Sequence, residues 1–123
     1  MQYLLMIGAS ERLEEDMSPE DMGALMEEYG RFTAELEASG AMVDGNRLRP
    51  VADASTVRLR DGKVTVTDGP FAETKEQIGG YYLIDVANLD EALAWAQKIP
   101  SAKFGSIEVR PVWEMEDEAG GAG

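Results

Sequence analysis

Apolar positions recur every second residue in several stretches of the chain and predict β-strands there. In residues 2–7, apolar side chains occupy both the odd and the even positions, so both faces of the strand are apolar. This pattern is typical of a strand covered on both faces. Residues 41–45, 80–86 and 106–112 are further candidate strands. Residues 56–60 and 64–67 alternate on either side of Asp61-Gly62, which predicts a tight β-hairpin. Residues 46–55, which include Pro50, are expected to be irregular.

Two other stretches have the apolar spacing of amphipathic helices. The first opens on Ser18 as N-cap and Pro19 at the first helical position, and it is expected to stop at Gly40. The second follows Asn88, a suitable N-cap, and ends at Pro100. The predicted core-facing residues are Met22, Leu25, Met26, Tyr29, Phe32 and Leu36 in the first helix, and Leu89, Ala92, Leu93, Ala96 and Ile99 in the second.

The acidic segment 8–17 and the segment 68–79 are expected to be loops. The resulting order is strand, helix, strands, helix, strand, which predicts a single α+β domain over residues 1–113. Its antiparallel sheet would have two helices on one face. Because the first strand is apolar on both sides, a second subunit is expected to cover the other face, so we predict a homodimer. Residues 114–123, acidic and glycine-rich, are expected to be a disordered tail.

Composition narrows the classes of function. The chain has 123 residues, 24 acidic and 11 basic side chains, and a formal net charge of −13, which disfavours direct binding to nucleic acid. It contains no cysteine and no histidine, which excludes disulfides, thiol catalysis, a Ser-His triad and the usual zinc sites. No nucleotide-binding motif is present, so no cofactor and no metal is expected. No signal peptide or membrane-length apolar run is apparent, and a cytoplasmic location without membrane contact is expected.

The stretch 66–84, VTDGPFAETKEQIGGYYLI, resembles the signature of the DGPF branch of the YCII-related family, with Asp68-Gly69-Pro70-Phe71 as the tetrapeptide itself. The similarity extends to the opening strand, to the helix with Tyr29 and Phe32, and to the ending at residues 106–111. The resemblance implies a ferredoxin-like fold with an additional β-hairpin, assembled as a dimeric α/β-barrel. Relatives in the YCII branch are suspected enzymes with a His-Asp pair, which a chain without histidine cannot form. DGPF proteins are often encoded beside extracytoplasmic-function sigma factors, which implies an accessory or regulatory role.

The candidate catalytic residue is Asp68, which ends a predicted strand and is placed to act as a general base. It is equally typical of a turn, in which its carboxylate would bind backbone amides and Gly69 would adopt an unusual φ. Candidate ligand-binding residues are Glu73, Lys75, Tyr81, Tyr82 and Arg110. The charged members are also typical of a solvated loop with weak ion pairs. Tyr81 and Tyr82 point to opposite faces of their strand, and one of them is expected to face the side without helices.

Three hypotheses on function follow. The first is a small-molecule-binding or accessory domain with little or no catalytic activity. The second is a cofactor-free enzyme that acts on a small organic acid or lactone-like compound through Asp68. The third is a protein-interaction module, which predicts an exposed apolar patch beyond the dimer interface.

Overall fold

A computed structural model describes residues 1–115 of the chain. The described residues form six strands, three helices and two short 3₁₀ turns. In chain order they are β1 (Gln2–Ala9), α1 (Glu11–Glu15), α2 (Pro19–Ser39), β2 (Met42–Arg47), a turn at Val51–Asp53, β3 (Ser55–Arg60), β4 (Lys63–Asp68), β5 (Gln77–Asp85), α3 (Leu89–Lys98), a turn at Pro100–Lys103 and β6 (Ser106–Pro111).

Four strands form one antiparallel sheet in the order β2-β5-β1-β6. This order, with one helix after β1 and another after β5, is the ferredoxin-like arrangement, so the predicted α+β fold class is confirmed. The apolar strand β1 lies at the centre. Leu5, for example, has Tyr82 of β5 on one side and Val109 of β6 on the other.

Both predicted long helices lie on one face of this sheet. Ser18 caps α2 by accepting a hydrogen bond from the Asp21 amide at 3.0 Å, and Gly40 ends the helix with φ +82°, as predicted. Asn88 caps α3 in the same way, through the Glu91 amide. The core between helices and sheet is built from the alternate residues of the strands and the inner stripes of the helices: Tyr3, Leu5, Ile7, Phe32, Leu36, Ala41, Tyr82, Ile84, Val86, Ala92 and Ile99.

Two predictions of local structure were wrong. Segment 8–17 was expected to be a loop, yet it contains α1, which starts where the Ser10 hydroxyl accepts a hydrogen bond from the Leu13 amide at 3.4 Å. Because α1 buries no residue, the segment lacks the regular spacing of apolar residues from which a helix is predicted. In α3, Leu89 and Leu93 are 46% and 40% exposed, and Trp95 packs against the core instead. Ala92, Ala96 and Ile99 are buried as predicted, so the predicted inward face of α3 was wrong only for Leu89 and Leu93.

The face of the sheet opposite the helices, here called the open face, is less polar than a solvent-facing sheet. Leu4, Met6, Leu83 and Tyr81 lie at its centre and are each half-buried. Glu108 and Arg110 of β6 flank them, joined by an ion pair of 2.6 Å. Within residues 1–115, no helix packs on this face.

The hairpin of β3 and β4 forms a separate two-stranded sheet. It turns at Asp61-Gly62, both with positive φ, as the sequence predicts. Among residues 1–115, no helix is long and apolar enough to cross a membrane. The predicted tail lies mostly outside the described residues, and the domain boundary at residue 113 stays a prediction.

Candidate functional site

A cavity of about 730 Å³ lies on the helical side of the sheet, between α1, α2 and the strands β1, β2 and β5. Its apolar wall comes from alternate strand residues and from the methionine-rich inner face of α2. Its polar wall comes from hydroxyl and charged groups on five different elements, α1, α2, β2, β5 and the turn after α3. The apolar wall includes Ile7, Ala9, Met22, Leu25, Met26 and Met42, and the polar wall includes Glu11, Glu14, Tyr29, Thr33, Arg47, Tyr82 and Ser101.

Four hydroxyl groups on the cavity wall are arranged as two hydrogen-bonded pairs. Tyr29 of α2 pairs with Ser101, and Thr33 of α2 pairs with Tyr82 of β5 at 2.7 Å between oxygens. Each hydroxyl carries one proton and can accept two hydrogen bonds. Because one proton in each pair is used between the partners, the other remains available to donate to a bound molecule. The two pairs therefore offer donors for acceptor oxygens of a ligand.

The position of Tyr82 is set by the packing around its ring. The ring meets Phe32 edge-on, with 5.2 Å between centroids and 70° between planes. On another side it lies against the backbone of Gly45, where a Cβ atom would come within 2.8 Å of the ring. Tyr82 is consequently only 7% exposed, although its hydroxyl reaches the cavity.

Burial changes the acidity of both cavity phenols. It raises the pKa of Tyr29 above the ordinary value, an effect that the hydrogen bonds with Ser101 partly oppose and that nearby Tyr82 and Glu14 reinforce. Burial also raises the pKa of Tyr82, against the effect of its hydrogen bond with Thr33. Phenols with a raised pKa keep their protons at neutral pH, so both are suited to donate hydrogen bonds and not to act as bases.

Ser101 is placed by the short turn that follows α3. It is 2% exposed, and its backbone carbonyl accepts a hydrogen bond from Gly105 at 2.7 Å. Lys103 in the same turn forms an ion pair of 2.8 Å with Glu28 of α2, and this contact lowers the pKa of Glu28. The ion pair thereby ties the turn to α2. It is a second contact, beside the hydrogen bond itself, between the two elements that carry Ser101 and Tyr29.

Charged groups of both signs lie at the cavity. Glu11 is engaged, because its carboxylate accepts hydrogen bonds from the Val51 amide at 3.0 and 3.3 Å. The Arg47 guanidinium reaches across from β2 to the sulfur of Met26 at 3.7 Å. Within residues 1–115, no carboxylate lies at ion-pair distance from Arg47. This guanidinium is therefore available to an anionic group of a ligand.

Asp68 ends β4 in the hairpin, is exposed and does not line the cavity. Gly69 has the positive φ expected for the turn, +98°, but its amide donates to the Ala54 carbonyl at 2.7 Å and not to the Asp68 carboxylate. Glu73 and Lys75 are exposed in the loop before β5 and do not line the cavity either. The roles assigned to these three residues stay predictions.

The remaining predicted residues are divided between the two faces of the sheet. Tyr82 points to the helical side, and the Tyr81 hydroxyl bonds with Asn46 at 2.9 Å and with Asp44 at 3.4 Å on the open face, as the alternation predicts. Both tyrosines belong to the cavity lining at the β2 edge. Arg110 lies on the open face, away from the cavity, and pairs with Glu108.

Sequence reasoning did not single out Thr33, Ser101 or Glu14. A signal for Thr33 exists, because residues four apart lie on the same face of a helix and Tyr29 was already assigned to that face. Ser101 follows a helix-ending proline and has no local mark of a binding role. Only the packing of α2 against the turn brings it to Tyr29.

A second hollow, of about 640 Å³ and more open to solvent, lies at the other end of β1. It is lined by Met1, Asp85, Glu91 and Trp95, among others. The terminal ammonium of Met1 contacts Asp85 there at 2.7 Å. Its wall is formed largely by exposed polar groups, so it is the weaker candidate for a ligand site.

Comparison with known proteins gives the family. Residues 1–116 match the YCII-related domain, and the chain belongs to the YCII-related family. An uncharacterised protein of Rhizobium meliloti (strain 1021) is 39% identical over 114 residues, which are 91% of this chain and 92% of that protein. Among solved structures, the chain is similar to the 5-chloro-2-hydroxyhydroquinone dehydrochlorinase of Burkholderia phenoliruptrix AC1100, in complex with 2,5-dihydroxybenzoquinone. That match has 15% identity and a TM-score of 0.48, and it covers 93% of this chain and 94% of the other.

Proposed function

We propose that this protein binds a compact, largely apolar small molecule that carries at least one acceptor oxygen, in the cavity between α2 and the sheet. The proposal rests on two hydrogen-bonded hydroxyl pairs, Tyr29 with Ser101 and Thr33 with Tyr82. Both lie in a wall of aliphatic and methionine side chains. A mostly apolar cavity with a few convergent polar groups is typical of small-molecule sites, whose volumes run from about 300 to 1,000 Å³.

Arg47 favours a ligand with an acidic group. Among residues 1–115 the Met26 sulfur is the only hydrogen-bond partner of its guanidinium, and a carboxylate is the partner that its geometry suits best. The ligand class is therefore a small organic acid with an apolar body. The methionines of α2 and β2 adapt to different shapes, so the fit to the body is expected to be tolerant.

Benzoate, toluene and benzylammonium test this class, because they share a ring and differ in the polar group. Ligand-observed NMR on the purified protein is expected to show benzoate binding more tightly than either of the others. Tyr82→Phe and Arg47→Gln should each weaken benzoate about fivefold or more, roughly the value of one hydrogen bond. Thr65→Ser, on the hairpin, is the matched control. Equal binding of the three probes, or none at millimolar concentration, contradicts the proposal.

Such binding suits the accessory or regulatory role, linked to extracytoplasmic-function sigma factor systems, that the DGPF resemblance implies. The alternative of a cofactor-free enzyme with Asp68 as general base has less support, because the Asp68 side chain is exposed and lies outside the cavity lining. Asp68→Asn separates the two. Loss of turnover with unchanged folding would favour the enzyme, and unchanged ligand binding is expected for the binding protein.

We further propose that two copies associate through the open face, as a dimeric α/β-barrel. Leu4, Met6 and Leu83 form an apolar stripe there that is only half-buried in one protomer. Native mass spectrometry is the direct test. A dimer that carries a reproducible additional mass supports both the assembly and the cavity, whereas a monomer at all accessible concentrations overturns the dimer.

A further inference from the structure

The hairpin of β3 and β4 is an amphipathic ribbon whose apolar side is uncovered in the protomer. Val57 pairs with Val66, and Leu59 pairs with Val64, so all four side chains project from the same side. Each of the four is between 61% and 65% exposed. The other side carries Thr56, Arg58, Thr65 and Thr67. A surface of four adjacent large apolar residues is unusual on a protein that stays alone.

The ribbon also needs support for its own stability. A two-stranded hairpin is marginally stable in water by itself and normally requires a further strand or a packed face. Its ladder hydrogen bonds stay between β3 and β4, since the two strands form a sheet of their own. Within residues 1–115, no strand extends this ribbon.

We infer that the apolar side of the ribbon docks on the open face of a second copy of this chain, so that each protomer holds its partner with an arm. Two observations favour a second copy of the chain as the partner that covers the ribbon. The chain carries a second uncovered apolar stripe, Leu4, Met6 and Leu83, and a pair of copies lets each such surface cover the other. The inference rests on the proposed dimer and adds the ribbon to its interface.

Charge gives the second observation. Two copies of a chain with net charge −13 repel each other over most of their surfaces. The ribbon is different, because its residues 55–68 include three basic side chains, Arg58, Arg60 and Lys63, against two acidic ones. These three side chains project from the polar side of the ribbon, and the ribbon as a whole can therefore approach an acidic copy with less repulsion than the rest of the chain.

The test replaces the paired valines by their polar isosteres, Val57→Thr together with Val66→Thr, and measures the dimer dissociation constant by sedimentation. An apolar ribbon buried in the dimer predicts an increase of about 30-fold or more, because four methyl groups per dimer become hydroxyls that must be desolvated. Thr65→Val, on the polar side of the same ribbon, is the matched control and should leave the constant within about twofold. An unchanged constant for the valine variant, with a dimeric wild type, overturns the inference but leaves the open-face dimer intact.

Crosslinking provides a second readout that does not depend on variant stability. Because the chain has no cysteine, mixed dimers of Val66→Cys and Leu83→Cys chains can be joined by a short bismaleimide without background. Crosslinks between different chains are expected for Val66→Cys and not for Thr67→Cys on the polar side. The reverse pattern, or none in a dimeric protein, contradicts docking on the open face. Benzoate binding should be unaffected throughout, because none of the substituted residues lines the cavity. Failure of the cavity proposal is thereby distinguishable from failure of this one.

Discussion

Gly45 is the residue on which the position of Tyr82 depends most directly. A Cβ atom there would lie 2.8 Å from the Tyr82 ring and 3.0 Å from the terminal methyl of Met42. Gly45→Ala is expected to lower the free energy of unfolding by about 1–3 kcal/mol, the usual cost of overpacking, and to weaken ligand binding by displacing the ring. Urea unfolding and benzoate titration measure the two effects.

Gly23→Ala is the matched control for Gly45→Ala. Gly23 lies within α2, and nothing comes within 4 Å of the position that its Cβ atom would take. Here the same substitution should stabilise the protein by about 0.5–1 kcal/mol, because glycine is unfavourable inside a helix. Similar effects at the two positions would contradict the role given to Gly45.

The two cavity phenols predict a dependence of stability on alkaline pH. Burial raises the pKa of Tyr29 and Tyr82 in the folded chain above the unfolded value of about 10. Their neutral forms therefore contribute stability that is fully present below about pH 10 and is lost as the pH rises through the folded pKa values. Tyrosinate absorbance should show a late-titrating component that Tyr29→Phe and Tyr82→Phe each reduce. Early titration of all tyrosines in the folded protein would contradict this.

At the residue scale, the sequence predicted what depends on neighbours along the chain. The caps Ser18, Gly40 and Asn88 follow from local hydrogen bonding and backbone preference, and the structure confirms all three. The hydroxyl pairs were not predictable in this way. Tyr29 and Ser101 are 72 positions apart, and Thr33 and Tyr82 are 49 apart, so only tertiary packing brings them together.

The helix α2 contributes residues to both the apolar and the polar wall of the cavity, and its start depends on Ser18. Ser18→Ala removes the acceptor for the Asp21 amide and should destabilise the protein by about 1 kcal/mol, since α2 packs on the core through Leu25, Phe32 and Leu36. Ser10→Ala at α1 is the comparison. That helix buries no residue, so a change within about 0.5 kcal/mol is expected there. Thermal unfolding of both variants measures the contrast, and a larger loss for Ser10→Ala would contradict it.

Among the elements, periodicity found the strands, the long helices and most of the inward face of α3, but it did not find α1 and it wrongly placed Leu89 and Leu93 in the core. Five residues are too few to establish a helical period, and α1 has no buried side that would mark one. In α3 the predicted alanines, Ala92 and Ala96, are buried, whereas Trp95 takes the inward place expected for the leucines and reaches Phe32, with 6.1 Å between the rings.

For the whole molecule, the net charge of −13 predicts how association should respond to salt. Repulsion between two acidic copies is screened as ionic strength rises, and the Debye length falls from about 10 Å at 0.1 M to about 3 Å at 1 M. The proposed dimer should therefore become tighter with added salt. Sedimentation between these two concentrations measures the change. Dissociation at high salt would instead indicate an interface held by ion pairs.

The fold as a whole was more predictable than the site. Element order and the two-sided apolar character of β1 indicated an antiparallel sheet with helices on one face, the family resemblance implied a ferredoxin-like fold, and the order β2-β5-β1-β6 agrees with both. The candidate site residues were chosen mainly from the conspicuous loop around Asp68. The cavity instead lies between α2 and the sheet, near the edge strand β2. Loop motifs are visible in a sequence, but a concave surface arises only when elements are assembled.

The central place of β1 has a consequence during synthesis. Within residues 1–115 this strand is synthesised before every other strand, yet its two neighbours, β5 and β6, are the last two strands of that range. About 70 residues separate β1 from β5, and elongation at about 5–20 residues per second leaves the apolar run Tyr3-Leu4-Leu5-Met6-Ile7 without its partner strands for several seconds. The segment that follows β1 carries Glu11, Glu14, Glu15 and Asp16, and charges that flank an apolar strand in this way are the type of feature that opposes aggregation of an unpaired strand.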